Sequence, residues 1–211
     1  MATLFGWGAR KESAVETTAP TPPADQVCTS IVLPKFLTGL SQVKTPSILD
    51  LGPVVGSNVA FLGDHLGCKL VIGDLHRDLD TAGITADEAR ERIMARLKTT
   101  VVAPLNGILC WDVFDFLSRQ TAQELGAFLT GMLAPGGLVH GFFGTTQGEL
   151  THYSRFAFQS ARSLECRRVP ARPVKRTVLQ TRDLTVMFGG LTMVESVLLK
   201  SQQRETLLRK P

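Results

Sequence analysis

Short apolar runs alternate with amphipathic stretches from about residue 31 to the C-terminus. This is the pattern of parallel strands buried on both faces and joined by helices. Ile48 and Leu49 form the first buried run, Asp50 closes it, and Gly52-Pro53-Val54-Val55-Gly56 reads as a turn. Glycine there supplies either positive φ or close approach by a ligand. A helix from about Ser57 to Leu66, with Val59, Leu62 and Leu66 on one face, leads to a second buried run, Leu70-Val71-Ile72, which ends at Gly73-Asp74. Asp50 and Asp74 therefore close neighbouring strands at one sheet edge. Ligands of open α/β sheets sit at that edge, and a carboxylate at Asp74 is placed to accept both hydroxyls of a ribose.

Further along, Thr85-Ala86-Asp87-Glu88 is a capping box that opens a helix running to about Lys98, with Ala89, Ile93, Met94 and Leu97 as its inner stripe. Thr99-Thr100-Val101-Val102 is β-branched and reads as an edge strand stopped by Pro104. Gly107 to Trp111 is the next buried strand. A second box, Thr121 to Glu124, opens a helix that closes at Pro135-Gly136-Gly137, ahead of the strand Leu138 to Phe143. Arg155 to Arg176, basic and broken by proline, reads as an irregular insertion or lid. Thr181 to Phe188 reads as a helix, and Leu191 to Leu199 with Arg204 to Leu208 as a closing antiparallel pair. A short amphipathic helix, Ile31 to Leu40, precedes the first strand. Residues 1 to 27, with Thr17-Thr18-Ala19-Pro20-Thr21-Pro22-Pro23, read as a disordered arm, and 28 to 211 as one domain.

In order and motif, these elements resemble the class I S-adenosylmethionine-dependent methyltransferase family. Asp50, Gly52, Gly56 and Asp74 match its two acids and glycine-rich turn. Gly107-Ile108-Leu109-Cys110-Trp111-Asp112 matches its fourth strand, and Leu133-Ala134-Pro135-Gly136-Gly137 its turn into strand five. The resemblance implies a Rossmann-like, seven-stranded, mostly parallel sheet with helices on both faces and a C-terminal antiparallel hairpin. It implies S-adenosylmethionine as cofactor, with Asp50, Gly52, Pro53, Gly56 and Asn58 holding it from the first turn. Asp74 and Leu75 would do so from the second strand, and Trp111 and Asp112 from the fourth. His152 and Tyr153 follow strand five, where substrate loops of that family lie, and are candidate substrate contacts. The helix ahead of strand one is expected to roof the cleft. Two departures stand out. Val54 replaces the middle glycine, and no acid closes a third strand to meet an adenine.

Composition agrees with one globular domain: 211 residues, 44% hydrophobic and 20% charged. No run of eighteen apolar residues suggests a membrane span, and the N-terminus has the wrong order for a secretory signal, so the expected location is cytoplasmic. Cys28, Cys68, Cys110 and Cys166 are widely spaced, which suggests reduced thiols and no metal site. Arg167, Arg168, Arg172, Lys175 and Arg176 concentrate positive charge, either as a solvated loop or as a contact for an acidic ligand, partner or membrane surface.

The chemistry implied is methyl transfer to an unidentified acceptor, a small molecule or a protein. The sulfonium carries the activation, so no distinctive base is required. The motif of enzymes that methylate nucleic-acid amino groups would fall at Cys110-Trp111-Asp112-Val113 and is absent, which argues against DNA bases as acceptor. Two rivals stay open: a catalytically silent relative serving as a binding or scaffold protein, and a nicotinamide-dependent dehydrogenase. Loss of the middle glycine weighs against the second, because a pyrophosphate needs close backbone approach. Oligomeric state is not readable from these features.

Overall fold

A computed structural model describes residues 26–211. The expected arm lies outside these residues, except for Gln26 and Val27, which belong to a strand. In chain order the elements are β1 (Gln26–Thr29), α1 (Leu33–Leu40), β2 (Ser47–Asp50), α2 (Gly56–Leu66), β3 (Lys69–Ile72), α3 (Leu75–Leu79), α4 (Ala86–Thr100) and β4 (Leu105–Trp111). A short 3-10 turn, Val113–Phe116, leads to α5 (Arg119–Met132) and β5 (Leu133–Gly144). Then come β6 (Glu149–Ser160), β7 (Ser163–Lys175), α6 (Thr181–Met187), β8 (Thr192–Leu198) and β9 (Gln203–Arg209).

Among the described residues the main sheet has six strands in the order β3-β2-β4-β5-β9-β8. β3, β2, β4 and β5 are parallel, and β9 and β8 close it antiparallel, as expected of the C-terminal hairpin. Because strand side chains alternate between faces, each strand feeds two cores. Leu49, Ile108, Cys110, Val139, Phe143 and Leu208 point into one, shared with α4, α5 and α6. Ile48, Leu109, Trp111, Leu138, Phe142 and Leu207 point into the other, shared with α1 and α2. This is a Rossmann-like fold with helices on both faces.

The count of strands departs from the expected seven. Thr99 and Thr100 complete α4, and the Thr99 hydroxyl bonds back to the carbonyls of Ala95 and Arg96. A helix with a complete capping box and a buried stripe of Ala89, Ile93 and Leu97 outweighs the β-propensity of its last residues. Two further expectations shift by a few residues. α5 is capped by Ser118, whose hydroxyl accepts from Thr121 N, so Thr121 lies inside the helix and is buried. Leu133 already belongs to β5.

The larger departure is Arg155 to Arg176. It is not an irregular lid: β6 and β7 form a long antiparallel hairpin, to which β1 adds a third strand. Among the described residues β1 pairs only Ser163 to Cys166 of β7, and Pro170 and Pro173 lie beyond that pairing, where a missing N–H breaks no bond to β1.

α1 packs flat on the sheet rather than over its carboxyl edge. A methyl carbon at Gly107 would lie 3.0 Å from the Phe36 ring and 2.9 Å from Leu40, so glycine sets how closely this helix approaches. Its entry is fixed by one buried carboxylate. Glu205 of β9 accepts from the Ser30 hydroxyl, from Ile31 N at 2.9 Å and from His140 Nε2 at 2.9 Å. Burial alone would raise the Glu205 pKa, but these partners outweigh it and hold the group below the usual carboxylate range. Truncation to Ala leaves His140 and Ser30 buried with no acceptor. We expect Glu205→Ala to cost about 3–5 kcal/mol in urea unfolding, as for a buried pair stripped of one partner. A loss under about 1 kcal/mol would show that the carboxylate is dispensable. Its folded pKa is depressed, so its contribution is present above the unfolded value of about 4.3 and is lost as pH falls through the lower folded one.

Candidate functional site

The β6–β7 hairpin lies across the carboxyl edge of the sheet, over the turn between β2 and α2. Asn58, in the first turn of α2, holds it with both ends of its amide: Nδ2 donates to the Phe156 carbonyl at 2.8 Å and Oδ1 accepts from Phe158 N at 2.8 Å. The Arg155 guanidinium donates to the Val54 carbonyl at 2.8 Å, and Ser154 N donates to Asp112 at 3.2 Å. Phe61 of α2 stacks on Phe158 with ring centroids 4.6 Å apart. At the far end, Arg172 N donates to Asp80 at 2.7 Å and the Arg172 side chain to the Ile84 carbonyl.

Beneath the hairpin, Asp50, Gly52 and Trp111 meet. Asp50 Oδ1 accepts from Gly52 N at 2.9 Å and from Trp111 Nε1 at 2.6 Å. Trp111, in the left-handed region at φ 49°, lays its indole on the turn. A methyl at Gly52 would sit 2.6 Å from Cδ1 of that ring. Gly52 thus serves close approach rather than positive φ, and what approaches is a side chain of the same chain. The other face of the indole stacks on Phe156, with centroids 5.0 Å apart and planes 10° from parallel. Burial pushes Asp50 up to about 6, against the lowering effect of the Trp111 and Gly52 donors.

The remaining expected residues divide. Pro53, Asp74 and Tyr153 line an open cavity of about 370 Å³ together with Val54, His76 and Arg155. No hydrogen bond from the described residues engages the Asp74 carboxylate. Its backbone, in the left-handed region at φ 44°, is pinned by Arg96, which bonds the carbonyls of Gly73 and Asp74. Gly56 opens α2 with nothing near it, Leu75 is fully buried in the core, and Asn58 serves the hairpin. Val54 is 53% exposed on the rim of the open cavity.

His152 and Tyr153 are successive residues of β6 and line different cavities, since strand neighbours point to opposite faces. His152 borders a second space, of about 320 Å³, with Cys28, Asp112, Asp115, Arg168 and Arg176. The basic segment is therefore part of the site wall. Arg176 pairs with Asp115 at 3.2 Å.

Sequence patterning missed His76 and Asp115. His76 stacks on Tyr153 at 4.2 Å and faces Asp112 at 3.6 Å, too far for a hydrogen bond, so that His76 Nε2 and Asp112 Oδ1 are both buried without one. Asp115 accepts from Gly144 N with both oxygens. The signal available for each was its place two or three residues beyond an acid that follows a strand.

No protein-family model and no curated protein matches the chain. Solved methyltransferase structures overlap with its fold. An S-adenosylmethionine-dependent methyltransferase from Clostridium acetobutylicum ATCC 824 is 11% identical, with 83% of this chain and 91% of that one covered and a TM-score of 0.48. The N-methyltransferase NodS from Bradyrhizobium japonicum WM9, in complex with S-adenosyl-L-homocysteine, is 15% identical over 84% of this chain and 85% of its own, at a TM-score of 0.46. The glycopeptide N-methyltransferase MtfA, complexed with S-adenosyl-L-methionine, is 12% identical over 85% and 92%, again at 0.46. Overlaps at TM-scores below 0.5 carry no argument by themselves. The functional reading rests on this chain's topology and residues.

Burial also raises Asp115, to about 7, with the charge of Asp112 adding to it while Gly144 N–H and Arg176 pull it down. Asp50 and Asp115 thus bind protons more tightly folded than unfolded. Between roughly pH 4 and 7 the folded state holds the extra protons, so stability falls as pH rises through that window. We expect the wild type to be more stable to urea at pH 5 than at pH 8, and Asp115→Asn to reduce that difference. A wild type that weakens from pH 8 to pH 5 would contradict the assignment.

Proposed function

We propose that this chain is an S-adenosylmethionine-dependent methyltransferase-type domain whose cofactor lies in the crevice between the β2 and β3 ends of the sheet and the β6–β7 hairpin. The observation that carries the reading is the Asp74 carboxylate, unengaged by the described residues, on the wall of the open cavity one strand away from Asp50 and the Gly52 turn. A carboxylate in that place accepts two hydroxyls of a ribose without displacing any internal partner. The antiparallel β9–β8 pair that completes the sheet supports the same reading over a dinucleotide dehydrogenase.

The residues at the β3 end fit the nucleoside part of such a group. Asp74 would hold the ribose, while the Gly52 turn lies under the Trp111 indole. Asp50, buried at the strand end, would take the cationic end of the methionine arm once the Trp111 indole moves off it. When bound, the cofactor supplies a methyl carbon already activated by its sulfonium, so the chain's own task is to align an acceptor and exclude water. Phe156 and Phe158 keep the inner end of the crevice dry. The space bordered by Asp112, Asp115 and His152 adjoins the crevice and is the proposed place for the acceptor. His152 and Tyr153 accordingly have separate parts in the proposal, His152 beside the acceptor and Tyr153 beside the nucleoside.

Asp74→Asn is the informative substitution, since Asn tolerates the left-handed backbone that Ala would strain. We expect it to weaken S-adenosylhomocysteine binding about tenfold in calorimetry, the loss of a charged hydrogen bond, with an unchanged melting temperature. An unchanged dissociation constant would remove Asp74 from the site. Tighter binding of NAD than of S-adenosylhomocysteine to the wild type would overturn the methyltransferase reading.

A further inference from the structure

Resting on that reading, we propose that Trp111 decides which part of the ligand the crevice holds. As folded, the crevice accepts the nucleoside half and shuts out the amino-acid half, whose place on Asp50 and Gly52 the indole takes. Trp111 donates Nε1–H to Asp50 Oδ1 at 2.6 Å, and its ring edge covers Gly52. Only 2% of the residue is exposed. The ring is not loosely parked. Phe156 stacks on it, Phe142 stacks on Phe156 at 5.1 Å, and Phe158 meets it edge-on. The strand that carries Phe156 and Phe158 is bolted to α2 by Asn58.

The nucleoside half of the crevice is in the opposite condition. The Asp74 carboxylate has no hydrogen-bonding partner among the described residues, and the space before it, walled by Pro53, Val54, His76, Tyr153 and Arg155, is open. One acid of the pair is free to bind and the other is already bound, by a donor that mimics the N–H of an ammonium group. An amino-acid arm gains contacts here only by breaking the indole bond and the aromatic stack, so its net contribution to affinity is close to nil. Once the ring is removed, the same arm meets a buried carboxylate and the Gly52 N–H.

Calorimetry of the full chain with adenosine and with S-adenosylhomocysteine tests this as a cycle. The wild type should bind the two with dissociation constants within about threefold of each other. In Trp111→Ala, adenosine affinity should stay the same, while S-adenosylhomocysteine becomes at least tenfold tighter than adenosine. Trp111→Phe keeps a ring on Phe156 but loses the donor to Asp50, and should raise the ratio at least threefold; it decides the matter if the alanine variant does not fold by circular dichroism. A wild type that prefers S-adenosylhomocysteine tenfold or more overturns the inference and leaves the methyltransferase reading standing. So does a ratio that neither folded variant changes. Absence of binding by either ligand to any of the proteins overturns both.

Discussion

A parallel sheet ends, at its carboxyl edge, in a row of strand termini, and in this chain three of those termini carry carboxylates, Asp50, Asp74 and Asp112. Everything distinctive in the molecule follows from how that edge is covered. The hairpin of β6 and β7 lies across it, fastened by the Asn58 amide to the backbone of Phe156 and Phe158. A primary amide that donates and accepts in one plane reproduces the pairing of a neighbouring strand. The edge of β6 is thereby satisfied where it meets a helix, and the two aromatic residues are directed inward. Buried hydrogen bonds of this kind are costly to leave unmade, which makes the hairpin a fixed part of the fold and not a free flap.

Once the hairpin is fixed, the electrostatics of the edge are set. Asp50 lies under it, dehydrated, and burial raises its pKa although Trp111 and Gly52 both donate to it. Asp115 is in the same position, with Gly144 and Arg176 as its donors. Asp74, one strand outward and between the Arg155–Val54 and Arg172–Asp80 fastenings of the hairpin, keeps contact with the open cavity. The gradient from a dry, satisfied acid to an open, unengaged one runs across a single pair of neighbouring strands.

The layout of the sheet was legible in the sequence because both of its faces are buried. Runs such as Ile48-Leu49, Leu70-Val71-Ile72 and Ile108-Leu109-Cys110 carry that signature within a few residues, and Thr85 with Glu88 fixed the start of α4 by local chemistry alone. The acids at strand ends were legible for the same reason, since a polar residue after a buried run marks where the strand leaves the core. The hairpin was not. Its strands are covered on one face only, so Leu164, Phe156 and Phe158 are diluted by arginines and interrupted by Pro170 and Pro173, and the alternation is hard to see against a basic background. The partners of Asn58 lie about a hundred residues away, and no spacing rule reaches that far.

The same contrast explains why the departure visible in the sequence was not the one that matters. Val54 stands where the resembled pattern has its middle glycine, and a side chain at such a position would be expected to obstruct a ligand. In the fold it is half-exposed on the rim of the open cavity, while its carbonyl serves Arg155. The obstruction comes from Trp111, a residue that reads as the ordinary apolar end of a buried strand. Its left-handed backbone, together with an acid placed sixty-one residues earlier, sets the edge of this core ring on the turn. A position with φ above zero is uncommon for a bulky residue and costs roughly 1–3 kcal/mol, so it persists only where surrounding contacts outweigh it. Here those contacts are the Asp50 bond and the Phe156 stack, both supplied by elements that meet at the crevice. The strain at Trp111 and the fixed hairpin are therefore one arrangement.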